Sequence, residues 1–190
     1  MVETRDLPLL AWGDALRAGR ARRARLRRRA GLIAAGIACL AATVARPPAP
    51  ILLWNASASA PVGLYAVTSG APLARGDMAV AWPPLAVRDL AARRRYLPHG
   101  VPLVKRVAAV AGDRVCATGR VVTVEDRTVA IRRPADSAGR RLPRWQGCVR
   151  LGRGAVLLLM TEAPESFDGR YFGITGEGDI VGKATPLWLP

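Results

Sequence analysis

The sequence predicts a mostly β domain carried behind a single N-terminal transmembrane helix. Three observations lead there. Residues 30–45 are sixteen residues without a charge, set directly behind an arginine-rich block. Beyond residue 50 the chain breaks into short β-branched or apolar segments bounded by Gly, Pro or Asp. The best internal helix candidate is one short stretch, Leu85 to Arg95.

The N-terminal region comes first. Residues 1–16 read as a loosely structured or short helical lead. Arg17 to Arg29 then holds eight arginines among alanines and leucines, a composition that favours helix. At ~1.5 Å rise per residue the uncharged run spans roughly 24 Å, slightly short of a ~30 Å hydrocarbon core. Snorkelling arginines at its ends, Arg29 and Arg46, make up the difference. The positive-inside rule places the arginine block in the cytoplasm and everything after Arg46 across the membrane. The expected division is a basic cytoplasmic segment 1–29, a transmembrane anchor 30–46 and a β-rich domain 47–190 on the far side. A cleaved signal peptide is the competing reading, since Thr43-Val44-Ala45 fits the outline of a cleavage site. Against it, the 29 residues before the apolar run are already as long as many whole signal peptides.

Charge narrows the partners. The 190 residues carry a net charge of +15, with ten arginines against three acids in residues 1–46 and nineteen basic groups against eleven acids in residues 47–190. Such a balance suits an anionic partner, either a membrane surface or nucleic acid. The arginine block lacks interleaved aromatics and abuts an apolar run, so the lipid bilayer is the expected partner and nucleic acid is not.

Pro47-Pro48-Ala49-Pro50 reads as a stiff, extended spacer that cannot continue a helix. Strands are expected at Gly63 to Val67, Met78 to Trp82, Leu103 to Val110, Val121 to Val124, Ala155 to Leu159 and Ile180 to Ala184. Gly76-Asp77, Gly112-Asp113 and Gly178-Asp179 recur as turns before strands. Asp126 to Arg144, rich in arginine and punctuated by Pro134, Gly139 and Pro143, reads as a long hairpin or a mobile loop. No internal repeat is present.

The candidate chemistry centres on Asn55-Ala56-Ser57-Ala58-Ser59-Ala60-Pro61-Val62-Gly63-Leu64-Tyr65. Small residues at 56, 58 and 60 leave room around two hydroxyls, Pro61 pushes Ala60 towards extended geometry, and Gly63 allows a close turn. A serine held beside open space is a candidate nucleophile; a plain turn is the bland alternative. The second signal is Lys105. Of 29 basic residues only Lys105 and Lys183 are lysines, and Lys105 lies among valine, leucine and alanine. Burial can push a lysine pKa down by several units, whereas an arginine keeps its proton. A desolvated, neutral amine beside a serine is a general base. The sole histidine, His99, sits in a Pro-His-Gly turn and is read as exposed. Cys39, Cys116 and Cys148 lack the paired short spacings of a zinc site, so no metal is expected.

These residues carry a resemblance. Ser59-Ala60-Pro61-Val62-Gly63-Leu64-Tyr65, Arg75-Gly76-Asp77-Met78-Ala79-Val80, the run from Leu103 to Asp113, and Ser166-Phe167-Asp168-Gly169-Arg170-Tyr171-Phe172-Gly173 resemble, in order and spacing over residues 51–185, the type I signal peptidase family of Ser/Lys serine peptidases. The Ser-x-Pro spacing and the Asn-x-Ser-x-Ser and Gly-Leu-Tyr flanks resemble its conjugative-transfer, TraF-type branch. The Asp-Gly-Arg wording departs from the commoner Asp-Ser-Arg.

The resemblance implies a catalytic domain of coiled β-sheets, anchored in a bacterial inner membrane with the domain in the periplasm. A substrate peptide would lie along the cleft as an added strand. Ser59 would be the nucleophile and Lys105 its base. The Ser59 N–H and the Ser57 hydroxyl would form the oxyanion hole, a simple turn hydroxyl being the alternative for Ser57. Ser166 would hydrogen-bond the lysine amine, and Asp168 would order the Arg170 region. No cofactor is implied. The implied client is an exported precursor, specifically the pilin precursor of a conjugative or type IV secretion apparatus. In the relatives the acyl-enzyme can be attacked by the pilin's own N-terminal amine, closing a ring; these residues do not decide between ring closure and hydrolysis. Ala56, Ala58 and Ala60 suggest a shallow site for small side chains.

The competing function class is a membrane-tethered β-domain that binds a protein or nucleic acid through its arginines, its Ser/Lys pair inert. Lys105 discriminates, because a binding domain should accept arginine there as readily as elsewhere. In an oxidising compartment Cys116 and Cys148 have reason to pair and staple the intervening segment; two separate buried thiols are the alternative.

Overall fold

Alanine, arginine and leucine, the commonest residues between Pro8 and Ala45, are strong helix formers. In a computed structural model, which describes residues 8–45 and 50–190, they build one continuous helix, α1 (Pro8–Ala45), of 38 residues. Residues 8–16, expected as part of a loosely structured or short helical lead, are helical and continuous with the arginine block. At ~1.5 Å per residue it runs roughly 57 Å. The stretch Trp12–Ala45 is long and apolar enough to cross a membrane. Arg46 and Pro47-Pro48-Ala49, expected as a snorkelling end and a spacer, lie outside the described residues. The chain divides into two units, Met1–Pro48 and Ala49–Pro190.

The second unit is mostly antiparallel sheet. Its strands are β1 (Leu52–Asn55), β2 (Gly63–Thr68), β3 (Met78–Ala81), β4 (Leu103–Ala109), β5 (Arg114–Thr118), β6 (Val121–Val124), β7 (Arg127–Ile131), β8 (Gly147–Arg150), β9 (Leu157–Leu159) and β10 (Ile180–Trp188). Two short helices, α2 (Leu85–Arg93) and the single turn α3 (Gly169–Phe172), lie between them. The first sheet has six strands in the order β1-β2-β10-β3-β4-β9, and the second has four in the order β7-β6-β5-β8.

The first sheet places the site. Along β2, Gly63, Tyr65 and Val67 turn inward while Leu64 and Ala66 are half-exposed, the two-residue alternation of a strand with one face on a core. Tyr65, 1% exposed, packs with Ala60, Val67, Val80, Val104, Met160 and Ala184. Burying such a ring removes about 150–250 Å² from water, on the order of 4 kcal/mol, and seats β2 beneath the loop that precedes it. Gly63 is required there: at φ +152° an added Cβ would lie 2.3 Å from the Trp188 carbonyl oxygen of β10. In β4, Leu103, Val104 and Lys105 are all buried, and Lys105 stands opposite Ala79 of β3. A separate cluster packs Val115 and Val122 of the second sheet with Leu157 and Leu159 of β9 in the first.

Several boundaries differ from the sequence reading. α2 stops at Arg93 rather than Arg95, because Arg95 takes a left-handed φ of 59°, which a helix cannot continue. β10 runs four residues past Ala184, to Trp188, held by pairing to β2. β1, β5, β7 and β8 are not among the expected strands: β7 begins on arginine, and all four residues of β8 are exposed and show no alternation. The mobile-loop alternative for Asp126 to Arg144 is set aside. Glu125 and Asp126, both at positive φ (47° and 64°), make the tight turn between β6 and β7. Beyond β7, Ala135 bridges Arg141, and Asp136 accepts from the Ala138 and Arg140 N–H groups and from the Tyr96 hydroxyl.

The Cys116 and Cys148 sulfurs are bonded, and the two residues face one another directly across β5 and β8. The bridge staples β8 to the second sheet.

Candidate active site

Strand pairing of Asn55 with Gly63 closes a short loop over residues 56–62. Inside it, the Ala60 N–H donates to the Ser57 carbonyl at 3.3 Å, a tight turn that brings Ser57 and Ser59 together. The two hydroxyls hydrogen-bond at 2.9 Å, and the Ser59 N–H also points at Ser57 Oγ, 3.4 Å away. Ala56 and Ala58 are exposed beside them. Ala60 is not: at 4% exposure it packs into the core, so the small residue at 60 serves packing and leaves only Ala56 and Ala58 to shape the open face.

The partner of Ser59 comes from β4. Lys105 Nζ donates to Ser59 Oγ at 2.6 Å. Lys105 is 4% exposed and, among the described residues, makes no ion pair. The other lysine shows the contrast. Lys183 is 37% exposed at its side chain and paired with Asp77 at 2.8 Å. Desolvation pulls the Lys105 amine down to about 8, the nearby Asp168 charge opposing that fall and Arg170 adding to it. A substantial fraction of this amine is therefore neutral at mildly alkaline pH.

Asp168 and Arg170 stand close behind it. Asp168 is fully buried, and its carboxylate accepts from the Met160 N–H at 3.0 Å, the Arg170 N–H at 3.1 Å and Arg170 Nε at 2.8 Å. Arg170 in turn donates to the carbonyls of Pro164 and Met160. The pair is a fully satisfied buried ion pair that ties the turn before α3 to the end of β9. Ser166 departs from its expected role. Its side chain is buried and lines the same cleft as Lys105, yet its hydroxyl makes no hydrogen bond, and none reaches Lys105. His99 lies at the surface 3.5 Å from Asp89 and is not hydrogen-bonded to Ser59, so no Ser-His-Asp triad is assembled.

The cleft holding Ser59 and Lys105 has a volume of about 700 Å³. Its walls are largely apolar, with Leu53, Ala56, Tyr96, Val104, Pro164 and Phe167 among them. Tyr96 and Phe167 pack against one another on one side, tilted by 39° with 4.8 Å between ring centroids.

Residues 25–189 match the family described as signal peptidase, peptidase S26. The chain belongs to the S26 signal peptidase family. Among curated relatives, a plasmid transfer protein TraF from Escherichia coli is 38% identical over 168 residues, covering 83% of this chain and 93% of its own length. A conjugal transfer protein TraF from Agrobacterium fabrum (strain C58) is 32% identical over 146 residues, 70% of this chain and 80% of its own. A crystal structure of a signal peptidase I from Enterococcus faecalis V583 aligns with 62% of this chain and 100% of its own, at 17% identity and a TM-score of 0.36.

In this S26 member one residue of the serine stretch, named in the sequence only as part of the Asn-x-Ser-x-Ser flank, takes on a structural role at the site. Asn55, buried at the end of β1, spends its whole side chain on the backbone of the serine loop. The available signal was an asparagine two residues before Ser57, the spacing at which an Asn side chain bonds its own backbone.

Proposed function

We propose that this chain is a membrane-anchored serine endopeptidase with a Ser59/Lys105 dyad that removes the leader segment of an exported precursor, the client being the pilin precursor of a conjugative or type IV secretion apparatus. The observation that carries the reading is the 2.6 Å hydrogen bond between Lys105 Nζ and Ser59 Oγ in a site where the lysine is desolvated and lacks a carboxylate partner.

Neutral Lys105 takes the Ser59 proton as Oγ attacks the scissile carbonyl. Negative charge then collects on the former carbonyl oxygen, and the Ser59 N–H and the Ser57 hydroxyl, adjacent in the loop, are the proposed donors to it. The Ser57–Ser59 contact opens to admit it. Lys105, now an ammonium, returns its proton to the departing amine and leaves an ester on Ser59. Water releases that ester, or the pilin's own N-terminal amine does so and closes a ring. Asp168 fixes Arg170 and the wall behind Lys105, and Ser166 lines the cavity beside the amine.

In the proposed topology, residues 1–29 lie in the cytoplasm, residues 30–46 span the inner membrane and residues 47–190 form the periplasmic domain. The arginine block beside the apolar run supports this orientation, and a Cys116–Cys148 bridge suits an oxidising compartment. The TraF names of the relatives support the conjugative client.

The test is co-expression with candidate pilin precursors and intact-mass measurement of the product. Wild type should yield a shortened pilin and Ser59→Ala the full precursor. A ring is one water lighter than the linear product. Unprocessed pilin, together with rescue of a general signal peptidase deficiency, would move the client from pilin to exported proteins at large.

A further inference from the structure

The Ser59 loop has little apolar anchorage of its own. Ala56, Ser57 and Ala58 are exposed, and of the three alanines only Ala60 reaches the core. Its shape is set from beneath by Asn55, 7% exposed at the end of β1. Asn55 Oδ1 accepts from the Ser57 N–H at 3.1 Å. Asn55 Nδ2 donates to the carbonyls of Ser57 at 3.0 Å, Ala60 at 3.1 Å and Pro61 at 2.9 Å. The Pro61 carbonyl also accepts from the Tyr65 hydroxyl at 2.8 Å.

These contacts bracket Ser59 in sequence, on Ser57 before it and on Ala60 and Pro61 after it. The amide orientation follows from the network, since the reverse placement would face Oδ1 towards three carbonyl oxygens. Acceptor and donors are needed together on one short neutral group. An aspartate would turn a carboxylate on those carbonyls, and an alanine would leave one N–H and several carbonyls to find other partners.

We infer that Asn55 is a positioning residue of the Ser/Lys centre, holding the Ser57–Pro61 backbone so that the Ser59 hydroxyl meets Lys105 and the Ser59 N–H and Ser57 hydroxyl converge. The inference rests on the peptidase reading above. Asn55 makes no hydrogen bond to Lys105, so its loss leaves the burial of that amine in place. The expected signature is a fall in turnover with the lysine's titration unmoved.

The experiment uses the full chain in lipid vesicles with a precursor that wild type cleaves. Asn55→Ala and Asn55→Ser are compared with wild type and Ser59→Ala across pH, and rates are normalised to the folded fraction by circular dichroism. Asn55→Ala should lower kcat about 100-fold with KM within about threefold, the loss expected when a nucleophile is misplaced by about an ångström. The alkaline rise should stay centred near about 8. Asn55→Ser, whose hydroxyl can still accept from the Ser57 N–H, should fall between them. A kcat per folded molecule within about threefold of wild type for Asn55→Ala, or a loss confined to KM, overturns the inference. If Asn55→Ala does not fold, Asn55→Ser is judged by the same criterion. If neither folds, Asn55 is a folding determinant and the inference is likewise overturned. An inert wild type, or a Ser59→Ala variant as active as wild type, removes the peptidase reading itself and this inference with it.

Discussion

Lys105 Nζ meets Ser59 Oγ at 2.6 Å although the two residues are 46 apart in the chain. β4 brings the amine and the β1–β2 loop brings the hydroxyl. A lysine 4% exposed on a strand buried on both faces costs stability while charged, and that cost needs a compensating use. The predictions below follow from what surrounds this pair.

Ser59→Ala and Lys105→Arg are each expected to lower kcat by about 10³-fold or more, with the double variant little worse, because in the proposed dyad the two groups act as one unit. Arginine keeps the charge but does not release its proton. Cleavage of a precursor peptide followed by mass spectrometry checks this. Near-wild-type turnover by Lys105→Arg would sink the dyad.

Activity should rise with pH around about 8 and plateau above it, since only the neutral amine can accept the Ser59 proton. Stability carries a linked signature. The folded-state pKa of Lys105 lies below its ordinary 10.5, so between about 8 and 10.5 the unfolded chain binds more protons and this group's contribution to stability rises with pH. Below about 8 both states are protonated and the burial cost, on the order of 3 kcal/mol, is fully present. Urea titrations of wild type and Lys105→Met across that window should diverge; parallel curves would contradict the burial argument.

Asp168→Asn should be strongly destabilising, by about 3–5 kcal/mol, because it leaves the buried Arg170 guanidinium without its counter-charge. In the molecules that remain folded, loss of the carboxylate removes the one charge that holds the Lys105 pKa up, so the pH–rate curve should move to lower pH. Chemical denaturation and a pH series measure the two effects separately. An alkaline displacement would show that Asp168 acts on Lys105 in some other way.

Replacing both Cys116 and Cys148 by serine should cost roughly 2–4 kcal/mol, the range for a cross-link closing a loop of this size. Cleavage per folded molecule should be retained, because the bridge lies in the second sheet, whereas Lys105 lies on β4 of the first and Ser59 in the loop joining β1 and β2 of the first. Thiol labelling of native protein should find Cys116 and Cys148 blocked. Free thiols at both positions would refute the cross-link.

Much of the fold is legible in sequence because it is written in short-range periodicity. The six expected strands all correspond to strands in the structure, within a few residues at their ends, since each is an apolar run closed by a turn former. β8 was not legible: a fully exposed edge strand carries no buried face, and its pairing to β5 is a long-range event. The reach of α1 back to Pro8 was blurred because residues 1–16 lack the arginine-rich composition of the block that follows, while propensity summed over 38 residues carries one helix through residues 8–16.

The candidate site divides along the same line. By itself the sequence determined which chemistry was on offer: two serines among small residues, a lysine in a largely apolar run, an acid two residues before an arginine. Only the tertiary structure decided which of these meet. It put Lys105 on Ser59, closed Asp168 onto Arg170, left the Ser166 hydroxyl without a partner, sent Ala60 into the core and turned Asn55 into the clamp of the loop. The physical reason is range. Composition and spacing report whether a side chain favours burial, whereas a hydrogen bond needs two atoms within about 3 Å, a distance set by strand register between segments far apart in the chain.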